Sequence, residues 1–184
     1  TFLLGGRLGW RYGDLKLGLS ATYDKDNSAE VLAPELNIPH TELSEIPKKR
    51  LGGDLSYDFA NFSFQSEFIK VSLERNIPKV ERNLDFYYAT LGYNFTEAFF
   101  IYGSYWFVDS RAGIPVLPDK RKEEDEDVKV TTTGASYNMM DRVRLKAQFS
   151  RIKLDDELLL LPEGVITRTE EDFSVFGLAV SVFF

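Results

Sequence analysis

The last twelve residues, Phe173 to Phe184 (FSVFGLAVSVFF), alternate bulky and small side chains up to the end of the chain. In an extended strand Phe176, Leu178, Val180, Val182 and Phe184 fall on one face, with Gly177, Ala179 and Ser181 on the other. One face is wide and apolar, the opposite one small and neutral. A sheet in water would bury the apolar face as a core and put charges on the other. A wall between hydrocarbon and a lumen fits this pattern better.

Composition is compatible with such a wall. The chain has 184 residues, 43% hydrophobic, 14% aromatic and 28% charged, with a mean hydropathy of -0.23. These values suit either a soluble domain or a membrane barrel with a polar lumen and loops. No run of about 18 apolar residues exists, which excludes a helical membrane span. The absence of cysteine excludes disulfides, thiolate metal sites and thiolate nucleophiles. A net charge of -7 argues against a nucleic-acid partner. Thr1 opens no secretory signal, so the signal that an outer-membrane protein needs is expected to have been removed or to lie upstream.

Nine strands are predicted, joined alternately by short and long connections. They run from Phe2 to Tyr12, Leu15 to Asp24, Arg50 to Phe59, Phe62 to Glu74, Asn83 to Phe95, Ala98 to Val108, Val128 to Tyr137 and Arg142 to Leu154, ending in the terminal strand. Gly13-Asp14, Ala60-Asn61, Thr96-Glu97 and Asn138 to Asp141 are the short turns. The long connections, expected to be extracellular, are about 25–49, 75–82, 109–127 and 155–168. All seven prolines fall in these long connections, as a wall of continuous hydrogen bonding requires, and so does the charge run Asp119 to Asp127. Strands of ten to twelve residues, tilted about 45°, span roughly 23–28 Å, the height of an apolar membrane band.

The fold class is therefore all-β, an antiparallel up-and-down transmembrane barrel forming a single domain over residues 1–184. In the second, third and eighth strands, apolar residues alternate with a charged or small face. The sixth strand is apolar on both faces, and the fourth is expected to change parity after Phe68. Trp10, Tyr12, Tyr57, Tyr93, Trp106 and Tyr137 suit interfacial girdles. With short turns and the C-terminus in the periplasm, nine strands place Thr1 outside. A barrel with an even strand number would then need further strands before this chain.

The segments Phe59 to Val71 (FANFSFQSEFIKV), Phe86 to Ser110 (FYYATLGYNFTEAFFIYGSYWFVDS) and Thr133 to Ile152 (TGASYNMMDRVRLKAQFSRI) resemble the closing hairpins of Gram-negative porins of the phosphate-selective O and P type. The resemblance implies an outer-membrane barrel of about sixteen strands, often a homotrimer, of which this chain would be the C-terminal part. It also implies lipid bilayer, the outer-membrane assembly machinery and small polar solutes as partners, and no phosphate-binding motif accompanies it. The apolar ending at Phe176, Leu178, Val180, Val182 and Phe184 resembles the signal that this machinery reads.

The faces so assigned turn Arg7, Arg11, Lys16, Asp24, Asp54, Asp58, Glu67, Arg144 and Lys146 inward, as pore-lining candidates. Basic side chains of the first, second and eighth strands would face acidic ones of the third and fourth, setting a transverse field across the lumen. A passive diffusion channel for small polar or charged solutes is the reading this supports, with no cofactor and no metal expected. A structural sheath around a protein partner is the alternative. Catalysis would have to use His40, the single histidine, in a proline-flanked loop, and an enzyme is not expected.

Overall fold

The computed structural model describes residues 3–25, 47–76, 79–117, 120–140, 142–161 and 165–182. Strands β1 (Leu3–Tyr12), β2 (Leu15–Lys25), β3 (Pro47–Phe59), β4 (Phe62–Asn76), β5 (Lys79–Asn94), β6 (Phe99–Leu117), β7 (Lys120–Met140), β8 (Val143–Leu161) and β9 (Val165–Val182) form one sheet. Each pairs with its sequence neighbour in antiparallel fashion, in the order β1 to β9. Among the described residues β1 and β9 are therefore free edges.

The turns at Gly13-Asp14, Ala60-Asn61 and Thr96-Glu97 fall where the sequence places them, whereas β7 runs on to Met140, into the turn expected at Asn138 to Asp141. Gly13 has φ 57°, the left-handed value a two-residue hairpin favours, and Ala60 adopts φ 50° in the β3–β4 turn. For alanine that conformation is strained by about 1–2 kcal/mol, because Cβ approaches the following carbonyl.

A single row of paired residues crosses the whole sheet: Tyr12, Leu15, Tyr57, Phe64, Leu91, Gly103, Thr133, Phe149 and Phe176. At β1 this row touches the turn, whereas at β8 it lies about six residues above the strand's first residue, Val143. The turn rim thus recedes from the row by about one residue per strand. With a rise of about 3.3 Å per residue and strands about 4.8 Å apart, that stagger corresponds to strands tilted by about 35°.

The outward apolar residues drift by the same amount. Their uppermost members are Tyr23 in β2, Leu51 in β3, Phe68 in β4, Phe107 in β6, Phe149 in β8 and Phe176 in β9, which descend in the pairing register from β2 to β9, Phe68 being level with Phe107 and Phe149 with Phe176. Both edges of the apolar face therefore run parallel to the turn rim and oblique to the hydrogen bonds. The result is a belt of constant width, about seven to nine residues tall on each strand, as tilted strands in a bilayer require. Aromatics mark its two edges. Phe68, Tyr87 and Phe107 stack side by side at the upper edge, at centroid distances of 5.8 and 5.0 Å, with Lys129 Nζ 5.3 Å from the Phe107 ring centre. Trp10 with Tyr12, Tyr57 with Phe59, and Phe62 with Tyr93 line the lower edge.

Four expectations are corrected. The upper strands are longer than predicted. Much of the predicted loops 75–82, 109–127 and 155–168 is strand, so that Lys120 to Asp127 of the charge run belongs to β7. Above the belt the alternation continues with its polarity inverted. From β4 to β9 the outward side chains become Lys70, Asp85, Asp109, Asp127, Arg151 and Asp172, while Ile69, Phe86, Val108, Val130, Ile152 and Phe173 turn inward. Strand β4 keeps its parity without a bulge, and it is the chemistry of the two faces that exchanges after Phe68. Two prolines lie inside strands: Pro47 is the first residue of β3, and Pro115 adjoins a register shift in β6, both positions that spare the ladder. Trp106 pairs in register with Tyr88 and Val130 on the inward face, which removes it from the girdle.

Replacing Ala60 by glycine relieves the left-handed strain and should stabilise the folded protein by about 0.5–1 kcal/mol, read from the urea midpoint in phospholipid vesicles. Leu178→Arg, on the belt, should cost about 2–4 kcal/mol in the same assay. Glu170→Arg, on the same outward face above the belt, should stay within about 0.5 kcal/mol.

Candidate functional site

Residues paired in an antiparallel ladder point to the same side of the sheet. Following the register from β9 to β1 places Phe176, Leu178, Val180 and Val182 on the outer face and Arg7, Arg11, Lys16, Asp24, Asp54, Asp58, Glu67, Arg144 and Lys146 together on the opposite one. Phe184 and His40 lie outside the described residues. Lys48 and Arg50, which sequence reasoning did not single out, belong to the inner face as well, because β3 begins at Pro47. Strand β6, apolar on both faces, is also oriented by its partners: Phe100, Tyr102, Ser104 and Trp106 face inward.

The inner charges divide into two regions. On β1 to β4 several neutralise one another: Arg7 Nη2 donates to Asp54 Oδ1 at 2.6 Å, and Arg50 Nη1 to Asp24 Oδ2 at 2.8 Å. The carboxylate of Asp54 lies flat over Gly18, in space that a Cβ at that position would occupy. Arg11 Nε donates to the Gly13 carbonyl oxygen at 3.2 Å. The continuous basic stripe expected from the first two strands is therefore broken by its own counter-ions, while Asp58 and Glu67 have no ion-pair partner among the described residues.

Within the belt, the inner face of β5 to β9 bears no carboxylate. Lys146 is exposed and without an ion-pair partner among the described residues. Arg144 Nε donates to Asn138 Oδ1 at 2.7 Å, which fixes its direction. Between the acidic residues of β3 and β4 and the cations of β8 stand the aromatics of β5 and β6. Phe100 lies across Gly92 and Tyr102 across Gly134, since an added Cβ at either glycine would collide with the ring. The Tyr102 hydroxyl donates to Gln148 Oε1 at 3.2 Å. A buried hydrogen bond of 2.8 Å joins Thr132 and Ser150 in the next row up. From β1 to β9 the inner face of the belt, with its upper rim, holds Arg7, Arg11, Lys16, Lys48, Arg50, Arg144 and Lys146 against Asp24, Asp54, Asp58 and Glu67. It is thus net positive in a chain whose net charge is -7.

The balancing negative charge sits largely above the belt. There Arg151 binds Asp172 at 2.6 Å and Arg168 binds Asp155 at 2.7 Å on the outer side, each through paired guanidinium contacts. The hydrogen-bonded guanidinium holds each of these carboxyls below the usual carboxylate range. Asp109, Asp125 and Asp127 also converge there, their carboxylate oxygens within 4.8 Å of one another. Arg111 bonds Asp109 at 2.6 Å and Lys129 bonds Asp127 at 3.2 Å, so the cluster carries its own counter-charges. Being exposed and screened by solvent, such pairs add little stability, and their main effect is to keep the outer wall wettable above the lipid.

One face for lipid and one polar face, on an antiparallel meander with short turns at one rim, is the architecture of an outer-membrane channel wall. A family model described as Gram-negative porin matches residues 3–157. Searches of curated proteins and of solved structures return no match. The match supports a porin family and does not extend to the phosphate-selective type that the hairpins resemble. The match begins at the first described residue of β1 and covers all but the end of β8 and β9, so the chain belongs to the Gram-negative porin family.

Proposed function

We propose that the inner face lines a water-filled pore through which small polar solutes diffuse passively, with a preference for anions. The observation that carries this reading is the charge separation: seven cations against four carboxylates on the inner face of the belt and its rim, with Lys146 without an ion-pair partner among the described residues. In a lumen walled by low-dielectric material an unpaired cation projects its field across the pore and raises the local anion concentration. Arg7, Arg11, Lys16, Asp54, Glu67, Arg144 and Lys146 are the proposed pore lining. Asp58 and Glu67 opposite β8 supply the other pole of the field.

Two features bear on assembly. The free edges of β1 and β9 carry backbone groups that hydrocarbon cannot satisfy, which supports further strands on either side in a larger, even-numbered barrel, with trimer formation following the resemblance. A periplasmic C-terminus accords with the short turns sharing the rim where β9 ends. The apolar outer face of β9 then stands where the assembly machinery would engage it.

In planar bilayers the full-length protein should give discrete ohmic steps, with a reversal potential in a KCl gradient displaced toward that of chloride. The double substitution Arg144→Gln, Lys146→Gln should move that potential toward cation preference by several millivolts, because two of the seven lumen cations are lost. An unchanged reversal potential would remove β8 from the selectivity field, and a silent bilayer would favour the sheath. Inorganic phosphate at millimolar concentration should lower chloride conductance if the chain belongs to the phosphate-selective branch, and should have no effect beyond ionic strength if it does not.

A further inference from the structure

The inner aromatics occupy a continuous track. At the top of the belt Tyr88 and Trp106 stack with centroids 5.0 Å apart and planes 19° apart, and Phe86 meets Trp106 edge-on at 5.6 Å. Trp106 keeps 41% of its surface exposed. One polar row lower, holding Thr90 and Ser104, the track resumes with Tyr102 and Phe100, whose planes differ by 20°. These two rings lie flat on the wall because Gly134 and Gly92 leave room beneath them, so each turns a ring face toward the lumen. An ordinary packing role would bury such rings against other side chains. Here they line the face that carries the charges.

The charges beside the track are ordered. Phe100 and Lys146 share a register row with Ser136 between them, two strand spacings or roughly 10 Å apart. That is about the distance a carboxylate on an aromatic ring spans when the ring rests on Phe100 or Tyr102 and the lysine side chain reaches inward. No carboxylate of β5 to β9 competes for Lys146 within the belt.

We propose that this strip is a solute track for small planar aromatic carboxylates: ring faces on Phe100 and Tyr102 hold the aromatic portion, and Lys146 draws the carboxylate. Trp106 and Tyr88 form the entry step, continuous with the apolar inner face of the strands above the belt. The proposal rests on the pore reading and adds a solute class to it. An aliphatic acid of equal charge and size meets the same lysine but cannot stack, so the track discriminates by ring planarity rather than by charge.

The test uses the full-length protein in planar bilayers, with chloride conductance measured while benzoate or cyclohexanecarboxylate is titrated on one side. Benzoate should reduce conductance at a concentration about three- to tenfold below that for cyclohexanecarboxylate, the range expected for one aromatic stack. Tyr102→Leu with Phe100→Leu, which keeps apolar volume, should abolish that difference, and Lys146→Gln should weaken both blockers together. Trp106→Leu is a separate variant that leaves the lower rings in place and should slow benzoate entry without removing the preference. Chloride steps with equal half-blocking concentrations in the unmodified protein would overturn the aromatic track and leave the pore intact. So would a benzoate preference that survives loss of both lower rings. A bilayer without chloride steps would overturn the pore and the track with it.

Discussion

Hydrocarbon offers no hydrogen bonds, so each backbone N–H and C=O at membrane depth must find a partner within the wall. The other features follow from this requirement. It accounts for unbroken ladders from β1 to β9 and for register shifts that occur only near the strand ends, at Pro115/Leu117 and Asn138/Met140. It accounts as well for turns reduced to two to four residues at one rim. With the ladders fixed, side chains have no freedom to choose a face: one tilt and one register decide the environment of every residue. A uniform stagger of about one residue per strand then makes the lipid belt run oblique to the hydrogen bonds while remaining level with the turn rim.

Charge is handled differently on the two faces. Above the belt, outward carboxylates and cations pair across neighbouring strands, as Arg151 does with Asp172 and Arg168 with Asp155. These exposed contacts add little stability but let a sheet whose inner face is apolar just above the belt rise into water. Within the belt, charges point inward and pair on β1 to β4, where Arg7 meets Asp54 and Arg50 meets Asp24. Within the belt the described strands beside β8 place no carboxylate on its inner side, leaving a local positive field at Lys146 that no residue count for the whole chain would reveal.

Period-two alternation made much of this legible in the sequence. In strands such as Leu15 to Asp24 and Arg142 to Leu154 the two faces differ so much that a residue's side follows from its position alone. The inward residues named from sequence accordingly share one face. Legibility failed where the contrast between faces vanished or reversed. FFIYGSYWFV is apolar on both sides, so only its pairing with β5 and β7 orients Trp106 inward. Asp109 to Asp127 reads as loop because its charges fall on both sides: Asp109, Arg111, Asp125 and Asp127 face outward, the side that lower down belongs to lipid, and Glu124 and Glu126 face inward. Here the water level had changed and the strand had not. Ion pairs such as Arg7–Asp54 join residues 47 apart in sequence and depend on register across three strands, which no local pattern encodes. The flattening of Phe100 and Tyr102 had a faint signal, the glycines Gly92 and Gly134, but that signal becomes readable only once the strands are aligned.

The polarity exchange at the top of the belt also fixes where the protein floats. Moving the wall outward by one residue pair would lift Phe107 and Phe149 into water, and sinking it by as much would drown Asp109 and Arg151. The belt, seven to nine residues tall at a tilt of about 35°, has a height of roughly 19–24 Å, less than the hydrocarbon thickness of an average bilayer. A rigid sheet cannot stretch to close that gap, so the lipids must yield: the acyl chains touching this wall shorten into a thin annulus. The protein is thereby matched to a thin membrane, and in a thicker one it would pinch the bilayer around itself.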